Sequence, residues 1–173
     1  VAGDDVRVFT RRLNEKTAVV PEVVERVREL GLGEAVLDGE VLSFGPDGRP
    51  RPFQQTMRRF GRDADPAELR DELPLTVLFF DCLHLDGTSL LDAPAAERID
   101  ALAGVVPEEL RVPRRVTGDP GEAAAFLERA LEAGHEGLLA KALDARYRAG
   151  RRGHEWLKVK PEYTADLVVL AAE

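Results

Sequence analysis

Apolar residues recur along this chain at two periods, and the switches between them divide it into short strands and amphipathic helices. Val6 to Thr10 alternates and predicts a strand. Pro21 opens a predicted helix with Val23, Val24, Val27 and Leu30 at helical spacing, and Gly31 ends it. Ala35 to Phe44 reads as a strand closed by the turn Gly45-Pro46-Asp47-Gly48. Gln54 to Phe60 and Pro66 to Leu73 predict short helices. Leu75 to Leu85 is the most apolar run, the pattern of a central strand. Helices are expected over Ala93 to Leu102 and over Gly121 to Ala133, the second stopped by Gly134, with a strand over Arg111 to Thr117 between them. Gly137 to Ala142, His154 to Lys160 and Asp166 to Ala171 then follow as strands in hairpin-like succession. The expected fold class is α+β, with mainly antiparallel sheets flanked by helices. No repeat, low-complexity tract or long linker interrupts this order, so residues 1–173 read as one domain.

The basic residues add a chemical hint to this pattern. Three of the four lysines, Lys141, Lys158 and Lys160, fall within one short C-terminal region, and every other basic residue except Lys16 is arginine. Such gathering points to a site that needs compact ammonium charges rather than planar guanidinium forks. In Trp156-Leu157-Lys158-Val159-Lys160 a strand period sends Lys158 and Lys160 to one face and Leu157 and Val159 to the other. Paired ammonium groups repel unless an anion lies between them, and a phosphate chain would serve. The alternative is a solvated strand edge on which lysine blocks aggregation. Arginines cluster at Arg49, Arg51, Arg58, Arg59 and Arg62, and again at Arg146, Arg148, Arg151 and Arg152. Patches of this kind contact phosphates even on a chain of net charge -8, which itself argues against wholesale nucleic-acid binding.

Carboxylates occupy the strands in a comparable way. Asp38 and Glu40 share one face of Leu37-Asp38-Gly39-Glu40-Val41, and Gly39 leaves room for close approach of a ligand or strand. Glu136-Gly137 opens the strand that carries Lys141. Asp81 lies within the most apolar run, where burial demands a partner. Each has a plainer reading, with Asp38 as turn former, Glu136 as helix-stop charge and Asp81 as a core hydrogen-bond acceptor.

Taken in order, these residues resemble the nucleotidyltransferase (adenylation) domain of the ATP-dependent DNA ligases, particularly the bacterial type. Thr10-Arg11-Arg12 looks like the family's early arginine motif, and Leu37-Asp38-Gly39-Glu40-Val41 like its acidic strand. Phe79-Phe80-Asp81 with Leu83 looks like its aromatic motif. Glu136-Gly137-Leu138-Leu139-Ala140-Lys141 and Trp156-Leu157-Lys158-Val159-Lys160 look like its last two adenylation-domain motifs. The resemblance runs from Val6 to Glu173.

The resemblance implies a role for each position. Glu40 accepts a hydrogen bond from the ribose of ATP, Phe80 stacks on adenine, and Glu136 helps hold a divalent metal, Mg2+. Lys158 and Lys160 contact the alpha phosphate as pyrophosphate leaves. Arg152 and Lys141 are nucleotide-binding, and Arg11 meets the nucleotide or the 5'-phosphate of a nick. Trp156 packs the strand rather than touching substrate. The implied reaction has three steps: an enzyme lysine takes AMP from ATP, AMP moves to the 5'-phosphate of nicked double-stranded DNA, and the 3'-hydroxyl displaces it. The attacking lysine of the family sits in a Lys-x-Asp-Gly motif, and no lysine here has that context, Lys16 included. The chain is therefore expected to be a piece of an adenylation domain truncated at both ends, inactive alone, from a monomeric parent. Competing expectations are an RNA ligase, an mRNA capping-type nucleotidyltransferase, or a non-catalytic nucleotide- or DNA-binding module.

Composition closes off other classes. Hydrophobic content of 44% and charged content of 32% belong to an ordinary globular chain. No apolar run approaches a membrane span and no signal peptide is visible. Cys82 alone forms no internal disulfide, which fits a reducing cytoplasm. His84, His135 and His154 lack metal-ligand spacing, so no zinc site is expected.

Overall fold

In the computed structural model, which describes residues 1–61, 66–149 and 155–161, two antiparallel sheets carry the fold. Strand β1, Ala35–Ser43, pairs with β2, Leu75–Leu85, from Ala35↔Leu85 to Ser43↔Leu75. The dipeptide Asp86-Gly87, with φ of 45° and 80°, then turns the chain into β3, Thr88–Ser89. Positive φ at both central residues is what a tight two-residue hairpin requires, and Asp-Gly supplies it. No strand is expected at Thr88–Ser89, although the Asp-Gly turn signal stands in the sequence. Strand β2 is central, as its apolar run predicts.

The core lies on one face of this sheet. Helix α1, Pro21–Arg28, buries Val23, Val24 and Val27 there, the residues its periodicity selects. Helix α4, Ala95–Val105, adds Leu102, followed by Val106 and Leu110. Between them, α2, Phe53–Met57, runs into a short 3-10 turn, Arg58–Phe60, and α3, Pro66–Glu72, follows. Arg59 in that turn is fully buried and staples three segments together. It donates to the carbonyls of Leu69, Leu73 and Val19 and pairs with Glu22 at 2.7 Å. Helix α5, Pro120–Glu132, is capped by Asp119, which accepts from the Glu122 amide at 2.8 Å. The second sheet pairs β4, Leu138–Lys141, with β5, Trp156–Val159.

Two expected strands do not form. Val6 to Thr10 makes only an isolated bridge, Phe9↔Glu15, because the chain reverses at once. Leu13 takes φ of 59° and its amide reaches the Thr10 carbonyl, so the segment folds back on Asn14 to Lys16, to which the Thr10 amide and the Val8 carbonyl are bonded, rather than joining a sheet. The backbone of Arg111 to Thr117 joins the sheet at one point, where the Val112 amide donates to Phe79 and Arg111 bridges Phe79. Pro113 follows without an N–H and the ladder stops. The expected strand Asp166 to Ala171 lies outside the described residues.

Candidate functional site

The pairing of β1 with β2 slips twice, between Val36 and Leu37 and between Asp38 and Gly39, so Phe80 and Leu83 are extra residues on β2. A bulge re-aims the side chains beside it. Core positions on β2 accordingly run Leu75, Val77, Phe79 and then Cys82, a step of three that leaves Phe80 outside the core cluster. Gly39 faces this irregularity. A Cβ there would lie 2.9 Å from both the Leu78 carbonyl oxygen and the Phe79 ring. Only glycine lets the strands approach so closely without displacement.

Asp81 next to the bulge is buried, and its partner is Arg98 of α4. Arg98 Nε donates to Oδ1 at 2.8 Å and Nη2 to Oδ2 at 3.2 Å. The same guanidinium donates to the carbonyls of Ala93 and Ala145, so a fully buried cation is satisfied on several sides. A buried bidentate pair of this kind is costly to break because either partner alone is left as an uncompensated charge.

Beyond the bulge, three aromatic rings and one lysine meet. The Lys141 ammonium lies 4.3 Å from the Phe80 ring centroid and 3.9 Å from that of Trp156. Trp156 stands edge-on to Phe80 at 6.5 Å and to Tyr147 at 6.2 Å. The Tyr147 hydroxyl donates to Asp38 Oδ2 at 2.7 Å. Burial pushes the Lys141 ammonium down to about 8, against the opposing pull of Asp81 and Asp38. Burial, then the Asp38 hydrogen bond, pushes the Tyr147 hydroxyl up. Arg114 donates to the Phe80 carbonyl at 3.3 Å, a further tie on the bulge.

The expected site residues fall into two contacting pairs and a remainder. Phe80 meets Lys141, and Glu136 meets Lys160 in a direct ion pair. That contact holds the Glu136 carboxyl below its usual range and raises Lys160. Lys158 sits opposite Leu139, on the face that Trp156 and Lys141 share, and is itself exposed. Glu40 and Arg11 are exposed, without a side-chain hydrogen bond or ion pair among the described residues. Arg152 lies outside the described residues. Tyr147, Arg98 and Arg114 carry no signal in the linear sequence, because their partners are set by tertiary contact. Among the described residues no group of three or more His, Cys, Asp or Glu gathers to hold a metal, and no helix is long and apolar enough to cross a membrane. A single carboxylate such as Glu136 still suits Mg2+, which typically takes one or two protein carboxylates together with substrate phosphates.

Residues 1–160 match the model of the ATP dependent DNA ligase domain. The chain belongs to that family. A probable DNA ligase of Anaeromyxobacter sp. (strain Fw109-5) is 61% identical over 171 residues, covering 99% of this chain and 33% of that protein. DNA ligase B of Mycobacterium tuberculosis (strain ATCC 25618 / H37Rv) is 55% identical over 172 residues, covering 99% of this chain and 34% of that protein. The chain thus spans about a third of the curated relatives it matches. The solved ligase domain of M. tuberculosis LigD shares 32% identity with a TM-score of 0.71, over 91% of this chain and 48% of that one. A mycobacterial DNA ligase D complexed with ATP and MES shares 29% identity with a TM-score of 0.70, over 92% of this chain and 49% of that one. The mixed helix and antiparallel-sheet architecture is that of the ligase nucleotidyltransferase domain.

Proposed function

We propose that this chain is the part of an ATP-dependent DNA ligase that binds ATP and stabilises the phosphoryl charge during adenylation. The parent seals nicks in double-stranded DNA through enzyme-AMP and DNA-adenylate intermediates. The observation that carries this reading is the meeting of Phe80 from β2, Lys141 from β4 and Trp156 from β5 in one cluster. Family membership over residues 1–160 supports it independently.

In this reading Phe80 offers adenine the ring face that Lys141 does not occupy. Glu40 accepts from the ribose, and its lack of a side-chain partner among the described residues leaves it ready to do so. Lys158 in β5 and Lys160 just after its end neutralise charge at the alpha phosphate as pyrophosphate departs. An incoming triphosphate competes for Lys160 and frees the Glu136 carboxylate from its ion pair. Mg2+, when bound at Glu136 and the nucleotide phosphates, supplies further positive charge to the leaving group. Arg11 and Arg152 contact the nucleotide or the 5'-phosphate of the nick. The attacking lysine comes from the parent's own Lys-x-Asp-Gly segment. Nearly all the chemistry asked of these residues is positioning and charge stabilisation, which such a phosphoryl transfer requires.

The test is Lys160→Ala in the full-length protein, incubated with labelled ATP. The covalent AMP adduct should vanish while the unfolding midpoint stays near wild type. Wild-type labelling by that variant removes Lys160 from the site.

A further inference from the structure

The lysine-bearing hairpin and the acidic strand are far apart in sequence, and one side chain ties them together. Tyr147 precedes β5 in the segment that links β4 to β5. Its hydroxyl donates to Asp38 on β1 across 109 residues of chain, and its ring meets the edge of Trp156 on β5. Asp38 lies two positions before Glu40, and Trp156 lies two before Lys158. One residue therefore touches the neighbours of both the ribose-facing carboxylate and the phosphate-facing lysines.

Tyr147 is itself held from several directions. Its amide donates to the Leu91 carbonyl at 3.0 Å. Arg98 lies 5.8 Å from the ring centroid while donating to the Ala145 carbonyl and clamping Asp81. The Ala96 amide donates to the Leu143 carbonyl, fixing the start of the same segment. The phenol stays protonated through neutral pH, so it remains a donor to the Asp38 carboxylate. A hydroxyl fixed in this way transmits the position of β1 to Trp156 and so to the strand that follows.

We propose that Tyr147 is a positioning residue of the nucleotidyl site, and that its bond to Asp38 and contact with Trp156 set the spacing between Glu40 and the Lys158–Lys160 run. The inference rests on the ligase reading and deepens it. Phosphoryl transfer is sensitive to such spacing, since a misplacement of about 1 Å costs on the order of 100-fold in rate.

The experiment is single-turnover adenylation of the full-length protein with labelled ATP, reading amplitude and rate constant separately. A merely structural role lowers the amplitude, because fewer molecules are folded, and leaves the rate constant of the rest unchanged. Positioning predicts that Tyr147→Phe, which deletes one oxygen, lowers the rate constant at saturating ATP about tenfold or more with little change in the KM for ATP. Asp38→Ala should match it, and Asp38→Asn, which keeps an acceptor oxygen, should restore the rate constant to within about threefold of wild type. A wild-type rate constant in Tyr147→Phe or Asp38→Ala overturns the proposal. Failure of both variants to fold also overturns it, by assigning the pair to stability alone. Absence of an adduct in the wild-type protein overturns the ligase reading instead, so the two failures are distinct.

Discussion

Lys141 holds its ammonium between the Phe80 and Trp156 rings, with Asp38 and Asp81 favouring the charge and Arg98 and Arg114 opposing it. Ring faces also favour a cation. Burial still outweighs these attractions and lowers Lys141 to about 8, whereas an unfolded lysine titrates near about 10.4. Between those values the unfolded chain carries a proton that the folded chain has released, so this group's contribution to stability rises with pH. Comparing wild type with Lys141→Met by urea unfolding isolates the effect, because the ionisation of Tyr147 is common to both. The stability difference should move in favour of wild type from pH 8 to pH 10, and a constant difference would show that Lys141 titrates normally. The sequence marked Lys141 as basic and clustered with other lysines. It could not say that two rings from separate strands enclose it, because aromatic contact leaves no trace in spacing.

Among the secondary elements, the β4–β5 hairpin depends on a single glycine. Gly137 has φ of 150°, and a Cβ there would lie 2.1 Å from the Val159 carbonyl oxygen. That atom is backbone, so the strands themselves must part to admit a methyl group. Gly137→Ala should destabilise the protein by about 1–3 kcal/mol in urea unfolding and separate Glu136 from Lys160. An unchanged midpoint would mean that the hairpin accommodates the methyl group by moving. Strands β1, β2, β4 and β5 and helices α1 to α5 were legible from periodicity and turn chemistry, with ends displaced by a residue or a few. The expected strands at Val6 to Thr10 and Arg111 to Thr117 failed for local reasons. One reverses at Leu13, and the other meets Pro113 after a single bridge. Alternation alone does not guarantee a partner strand for the backbone.

For the molecule as a unit, the decisive matter is which steps of adenylation these 173 residues can carry. In the proposed reading they supply Phe80, Glu40, Glu136, Lys141, Lys158 and Lys160, and none of their lysines stands in Lys-x-Asp-Gly. The 19.0 kDa chain by itself should therefore form no labelled AMP adduct on denaturing electrophoresis. A labelled band from the isolated chain would require one of Lys16, Lys141, Lys158 or Lys160 to act as nucleophile. Arg98 and Arg59 tie the assembled fold together. Each is a fully buried cation whose hydrogen bonds join segments that share no sequence pattern.

Hydrophobic period, turn residues and ordered motifs specified the elements and the family, because those signals act over a few residues and survive in a linear text. Packing alone chose the partners. The bulge that leaves Phe80 outside the core, the Arg98 clamp on Asp81 and the Tyr147 bridge to Asp38 arise where distant segments meet. Such contacts depend on strand register and burial, which take definite values only once the chain has closed on itself.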